Sequence, residues 1–527
     1  MANTGRSYAR QASSGMEEIM GGLMMWWHGR RLTSRKQRRQ EEYSYAAGHW
    51  RLHRVAVGLS ALVFTLVTTA ASGQEPSQRL TITPSLSIGE RYDDNIFATQ
   101  TNKQHDFITV LSPGIHVQYL SPTPTLGTPF LLPVFESGRR APEFLLEPTA
   151  TPPLDFDYHA IFELFHDDSN QNNVAHRLAL TAAWPLAPSL QVRLRELLLV
   201  TEDPLGRDER LSDPTGLRPF SQQQRARTIR NEVEGRADVR LGGRLSLGVL
   251  FGSLVEDVQV SQELDEFRYT VGTELGYAIN VARESRVFLA YQVTFESFRN
   301  NGAVPLGGTD ASFQVHAIST GVRHELTPTL AIQAALGYSF TTSDAPEDDN
   351  HKAVIANVGL IKTFNLGQAS LRYARRFISG EGQGGVVLAD TLGATAALNL
   401  TGKLTARLDG NVSWFDFRSV TTRTLNLNQR FLSVEPSLIY QIIRPWRASV
   451  GYTYGYSDFS DNTLANRSDH RLFLGTQFAL REWLVAELSY RYGVRRLHGG
   501  NATAGGVNDF TGNQVMLTLT ASPSFRF

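Results

Sequence analysis

The chain contains no cysteine, which excludes disulfides, thiolate metal sites, cysteine nucleophiles and a lipid anchor on an N-terminal cysteine. It also lacks any run of the roughly 20 consecutive apolar residues that a membrane-spanning helix requires. A chain of this composition that crosses a bilayer does so with strands. Lysine is scarce: beyond residue 73 only Lys103, Lys352, Lys362 and Lys403 occur, so positive charge is carried by arginine. The first 73 residues hold 10 Lys+Arg and 4 Asp+Glu, and taking these from totals of 51 and 51 leaves 41 and 47, a net charge of about −6. Without a basic excess, a nucleic-acid-binding role loses its electrostatic motive. No Gly-rich phosphate loop, zinc-type His-Glu pair or EF-hand loop occurs. His159, His166, His316 and His324 fall on strand-like segments, as a lipid hydrolase of the outer membrane would need, yet none is set in a catalytic pattern with Ser and Asp. No catalytic residue, metal ligand or cofactor is assigned, and the chain is expected not to be an enzyme.

What is present starts with an address. Val55 to Val67 is a run of 13 largely apolar residues that follows Arg51 and Arg54 and leads into Thr68, Thr69, Ala70, Ala71, Ser72 and Gly73. That is the three-part layout of a secretory signal peptide, with cleavage expected near Ala71 or Gly73. The expected division is therefore 1–73, a basic extension plus signal peptide with its apolar core at 55–67, and 74–527, the mature protein. Residues 1–50 are too polar to belong to the signal, and form either a long basic lead-in or the product of an upstream start codon.

From Leu80 onward apolar and polar residues alternate in about twenty segments with a period of two, the pattern of strands with two unlike faces. Between Ile229 and Leu241 the apolar Ile229, Val233, Ala237, Val239 and Leu241 share one parity. Arg230, Glu232, Glu234, Arg236, Asp238 and Arg240 share the other, and six charges on one strand face need water beside them. A soluble β-sandwich also alternates, but its strands cluster near 5 to 6 residues, whereas these segments exceed the ~9 to 11 needed for a tilted bilayer crossing. Connections alternate as well. Short ones such as Gly242-Gly243, Thr327-Pro328-Thr329, Asn365-Leu366-Gly367, Thr401-Gly402 and Arg444-Pro445-Trp446 take turns with long polar ones such as Glu202 to Arg225 and Leu497 to Asn513. The last segment carries Val515, Leu517, Leu519, Ala521, Phe525 and Phe527 on one parity, and Phe525 and Phe527 resemble the C-terminal signal read by the barrel assembly machinery. The expected fold is all-β: a transmembrane antiparallel up-and-down β-barrel of about 20 strands (range 16–20) in the outer membrane of a Gram-negative cell. A proline-rich periplasmic insertion, 121–153, interrupts the short connections; its eight prolines exclude a regular helix or central strand.

Two stretches near the mature N-terminus, Tyr92-Asp93-Asp94-Asn95-Ile96-Phe97 and Asp106-Phe107-Ile108-Thr109-Val110-Leu111-Ser112-Pro113-Gly114-Ile115, resemble the opening of the outer-membrane β-barrel porin family associated with exopolysaccharide biosynthesis clusters. The residues that carry the motif are Asp93, Asp94, Asn95, Asp106, Pro113 and Gly114. The resemblance implies a porin-like barrel of unspecified cargo, with polysaccharide export among its uses. The insertion 121–153 is longer than the family pattern leads one to expect.

A barrel of this size is wide enough for an aqueous lumen, and the polar parity would line it with Arg230, Glu232, Glu234, Arg236, Arg240, Glu274, Arg407, Asp409 and Arg491. Mixed charge suits passage of hydrated polar solutes; the competing reading is a set of ion-pair ladders bracing a plugged barrel. A TonB-dependent transporter is disfavoured because strands begin within about ten residues of the expected cleavage site, leaving no room for a plug. An adhesive or structural barrel acting through its extracellular loops stays in contention. Expected partners are outer-membrane lipid and lipopolysaccharide, the assembly machinery and a periplasmic polysaccharide-export component, and no nucleic acid.

Overall fold

A computed structural model describes residues 79–97, 99–120, 154–201, 227–258, 265–280, 285–299, 311–343, 351–379, 386–417, 428–460, 466–498 and 509–526. The leader with its apolar core, the insertion 121–153 and Phe527 lie outside the described residues. The wall is built in chain order from β1 (Arg79–Asp93), β2 (Asp106–Leu120), β3 (Leu154–Phe165), β4 (Asn173–Ala187), β5 (Leu190–Thr201), β6 (Thr228–Arg240), β7 (Leu245–Val258), β8 (Asp265–Asn280), β9 (Ser285–Arg299) and β10 (Ala311–Thr327). It continues through β11 (Leu330–Ser343), β12 (Lys352–Phe364), β13 (Gly367–Ser379), β14 (Val386–Asn399), β15 (Leu404–Phe417), β16 (Asn428–Ile443), β17 (Trp446–Phe459), β18 (Asn466–Arg481), β19 (Leu484–His498) and β20 (Phe510–Ala521). A two-residue β21 (Phe525–Arg526) resumes the last strand after a break.

Each strand pairs antiparallel with its successor, and β20 and β21 pair back onto β1. The sheet therefore closes into a 20-strand up-and-down barrel, which leaves no unpaired edge. A 14-residue strand such as β7, rising ~3.4 Å per residue and tilted ~40°, spans roughly 36 Å, enough to cross a ~25 Å apolar band with a margin at each end. Apart from 121–153, the connections at one end are two to four residues long, and every connection at the other end is longer.

Which way each side chain faces follows from the register, because residues directly opposite each other share a face. On β8, Tyr269, Val271, Leu275, Tyr277 and Ile279 are exposed on one parity, and Glu266, Arg268, Thr270 and Glu274 are buried on the other. Following Glu274 across the wall leads to Ala290 on β9, Ser319 on β10 and Gly337 on β11, and the same parity holds round the ring. The exterior thus carries large apolar side chains such as Ile88, Val249, Phe251, Leu289, Leu336, Leu408, Leu474 and Leu517. An apolar surface of that extent is a liability in water and is accommodated by lipid.

Near the end with the longer connections apolar groups pack together. Phe298 and Phe313 meet at 5.5 Å between ring centres and pack with Val386, while Ile96, Ile108, Val110 and Phe165 form a second cluster there. The strand reading of His166 needs correction. It falls one residue past β3, in a turn whose amides on His166, Asp167 and Asp168 all donate to the Asp106 carboxylate at 3.1, 3.1 and 3.2 Å. Capping by that buried aspartate ends the strand.

Candidate lumen wall and closing seam

The charges read from the sequence all fall on the inward parity, where the structure sorts them into two groups. On β6 to β9 most of them interlock. Arg230 bonds Glu232 on its own strand and lies 3.1 Å from Glu256 across the pairing. Arg236 holds Asp238 at 2.7 Å and reaches Glu274 at 3.4 Å; Glu274 also takes Arg286, and Asp238 takes Arg193 at 2.7 Å. Arg268 ties Glu266 to Glu296. The result is a band of alternating charge from β5 to β9.

Glycine makes this band possible. The Arg236 guanidinium lies flat over Gly248, where an added Cβ would fall 2.8 Å from its Nη2, and Arg286 lies over Gly276, where a Cβ would come within 2.5 Å of its Nε. Glu274 is fully buried and Arg230 is 4% exposed, so these groups are braced against the wall. Carboxylates bonded on two sides in this way offset a desolvation cost that either partner alone would leave uncompensated.

The other inward charges are open to the interior space. Arg240, Arg407, Asp409 and Arg491 are exposed on the interior face, and Glu234, opposite Arg195, is half-buried. Sequence reading missed Arg193, Glu256, Arg268, Glu296, Arg467, Asp469 and Arg495; each carries the same alternation signal, and the register would have found them. Asp469 is held by Arg467 at 2.8 Å and by Arg495 at 2.7 Å. Between β9 and β13 a recess of about 80 Å³ opens among Gln292, Thr294, Ser319, Asn357 and Arg372.

Three of the motif residues, Asp93, Asp94 and Asn95, gather at the seam where the last strand meets the first. Asp93, buried, accepts from the Asn95 amide at 3.0 Å and from Gln514 Nε2 at 2.9 Å. Asp94 accepts from both the backbone amide and the side-chain amide of Asn513, each at 2.7 Å. Asn95 donates to the carbonyls of Thr99 and Thr511 and accepts from the Thr99 amide, which folds the loop after β1 against β20. Asp106 caps the next turn, as described. Pro113 faces outward opposite Leu86, and Gly114 faces inward against His159, whose imidazole occupies the space a Cβ would need. Phe525 is exposed on the exterior and pairs with Ile82.

The strand histidines have hydrogen-bond and ring partners. His316 hydrogen-bonds Tyr291 at 2.9 Å on the exterior and stacks on Phe340, and two further exterior pairs repeat the arrangement, Tyr158 with His176 and Tyr452 with His470. Tyrosine and histidine with one apolar and one polar side suit the level where lipid meets water. His324 bonds Ser285 at 2.6 Å near the short-connection end.

No family model matches the chain, and no curated protein matches it. Solved structures with a similar outline include the siderophore receptor PirA from Pseudomonas aeruginosa, at 10% identity over 85% of this chain and 81% of that one, with a TM-score of 0.41. The unliganded ferric citrate transporter FecA matches at 10% identity over 85% and 78%, with a TM-score of 0.43. The ferric enterobactin receptor PfeA matches at 9% identity over 84% and 81%, with a TM-score of 0.44. Likenesses this weak say nothing of what this barrel carries.

Proposed function

We propose that the mature chain is an outer-membrane β-barrel acting as a porin-like channel for hydrated polar solutes, with exported polysaccharide among its cargo. The observation that carries this reading is the division of the wall: an apolar exterior, and an interior on which Arg240, Arg407, Asp409 and Arg491 are exposed rather than packed away. Export would use the signal peptide, with cleavage near Ala71 or Gly73, and insertion would use the assembly machinery acting on the terminal strand. The insertion 121–153 would either constrict the barrel mouth or dock a periplasmic polysaccharide-export component.

A second reading, a non-conducting structural or adhesive barrel, draws support from the interlocked band on β5 to β9 and from the apolar packing around Phe298 and Phe313. Single-channel recording of the purified barrel in a planar bilayer decides between them. Stepwise conductance supports the channel; a folded, inserted barrel that passes no current supports the second reading. Deleting 125–149 separates the roles of the insertion, since a constriction predicts higher conductance and a docking segment predicts unchanged conductance with loss of a cross-linked periplasmic partner.

A further inference from the structure

The interior is not uniformly charged. On the inward faces of β6 to β9 the register sets five arginines against seven carboxylates. On the arc roughly opposite, β17 to β20, it sets five arginines, Arg447, Arg467, Arg471, Arg491 and Arg495, against two carboxylates, Asp469 and Glu487. The first arc has two carboxylates in excess of its arginines, whereas the second has three arginines in excess of its carboxylates. Asp469 serves Arg467 and Arg495 directly and has Arg471 two residues along on the same face, while Arg491 lies over the Phe473 ring at 5.7 Å. A brace needs one carboxylate per guanidinium or more; three positive charges in excess on a confined wall draw in anions from outside.

The glycines of the two arcs differ in the same sense. On β7 and β8 guanidiniums cover Gly248 and Gly276, while Gly272 is covered by Leu250. On the opposite arc a Cβ added at Gly451, Gly455 or Gly493 would meet its nearest neighbour at 3.6, 3.7 or 3.7 Å, an ordinary contact with no guanidinium among the atoms met, while Gly475 is crowded by Phe473 and Ser449 at 2.9 Å. Arg471 stands directly opposite Gly493 in the register, and Arg491 lies diagonally from it, opposite Phe473. Diagonal neighbours on paired strands lie roughly 7 Å apart, close enough for two planar guanidinium forks to share one oxyanion.

Resting on the reading of the interior as a solute path, we infer that the inward wall of β17 to β20 is an anion-binding surface. Arg471 and Arg491 are its principal donors, and it takes solutes bearing carboxylate, phosphate or sulfate groups in preference to neutral ones. Arg467 and Arg495, fixed by Asp469, supply background positive charge and hold the strand pair rigid.

The test is calorimetric binding of oligogalacturonate to the detergent-folded full-length mature barrel, alongside neutral maltohexaose and inorganic phosphate, and it requires no conduction. Oligogalacturonate binding that weakens with salt, and falls about tenfold for each of Arg471→Gln and Arg491→Gln, is the expected result, since each substitution removes one charge-assisted hydrogen bond to the ligand. Arg430→Gln, on the exterior, should leave it unchanged, and gel mobility before and after heating shows that each variant is folded. Phosphate binding with the same arginine dependence supports a general oxyanion site. Equal binding of maltohexaose and oligogalacturonate, or oligogalacturonate binding indifferent to both substitutions, overturns the inference. Absence of conductance in a bilayer would overturn the channel reading by itself, leaving this binding result to stand or fall separately.

Discussion

Placing arginine on the exterior of β8 measures directly whether the wall faces lipid. Val271 sits mid-strand on the outward parity and is 44% exposed; Ile279 lies eight residues further along the same face, at the short-connection end, and is 53% exposed. Eight residues at ~3.4 Å, tilted by ~40°, separate the two sites by roughly 21 Å of depth. Arginine near the bilayer midplane costs about 2–4 kcal/mol and near the interface about 0–1. Val271→Arg should therefore destabilise the barrel by about 2 kcal/mol more than Ile279→Arg, roughly a thirtyfold difference in folding equilibrium. In water the similar exposure of the two sites would give similar, small costs. The assay is urea titration of folding into lipid vesicles, followed by tryptophan fluorescence and by the heat-sensitive gel shift. Equal costs at both positions, or no cost at Val271, would refute the assignment of this face to lipid.

Glu274→Gln removes the carboxylate shared by Arg236 and Arg286, leaving the buried Arg236 with Asp238 alone and the half-buried Arg286 without this partner; a loss of about 3 kcal/mol is expected in the same titration. Adding Arg286→Met should recover part of it. Asp94→Ala deletes two charge-assisted bonds to Asn513, each worth about 1.5–3 kcal/mol, so the folded gel band should disappear at a lower temperature while the strand content by circular dichroism stays the same. Gly114→Val should impair folding because the His159 imidazole fills the space, and His159→Ala in the same chain should rescue it; failure of the rescue would place the fault elsewhere.

The alternation of the chain made the strand number, the antiparallel meander and the parity of Arg230, Glu232, Glu234, Arg236 and Glu274 readable, because a period of two assigns every residue to a face once a single one is placed. Pairings between strands were not readable. Arg230 meets Glu256 rather than Glu266 because of register, and register is set by turn geometry and strand tilt that no single segment encodes. For the same reason the sequence could not tell braced charges from exposed ones: whether a guanidinium lies flat on the wall depends on a glycine such as Gly248 on the neighbouring strand. The Asp93-Asp94-Asn95 motif was visible as a pattern but not as a seam, since its partners Thr511, Asn513 and Gln514 lie more than four hundred residues away. The equation of His166 with a strand failed because the capping carboxylate of Asp106 belongs to a different hairpin.

That seam has a kinetic meaning. The bonds from Asp94 to Asn513 span 419 positions of chain, so they form only after the twentieth strand has arrived. Until then β1 presents an open row of amides and carbonyls, which any strand in the vicinity can pair with. A chain truncated before Phe510 can form all the hairpins from β1 to β19 but never engage the clasp. Closure thus reports that the whole chain has arrived, and an unclasped first strand leaves its edge open to pairing with other strands.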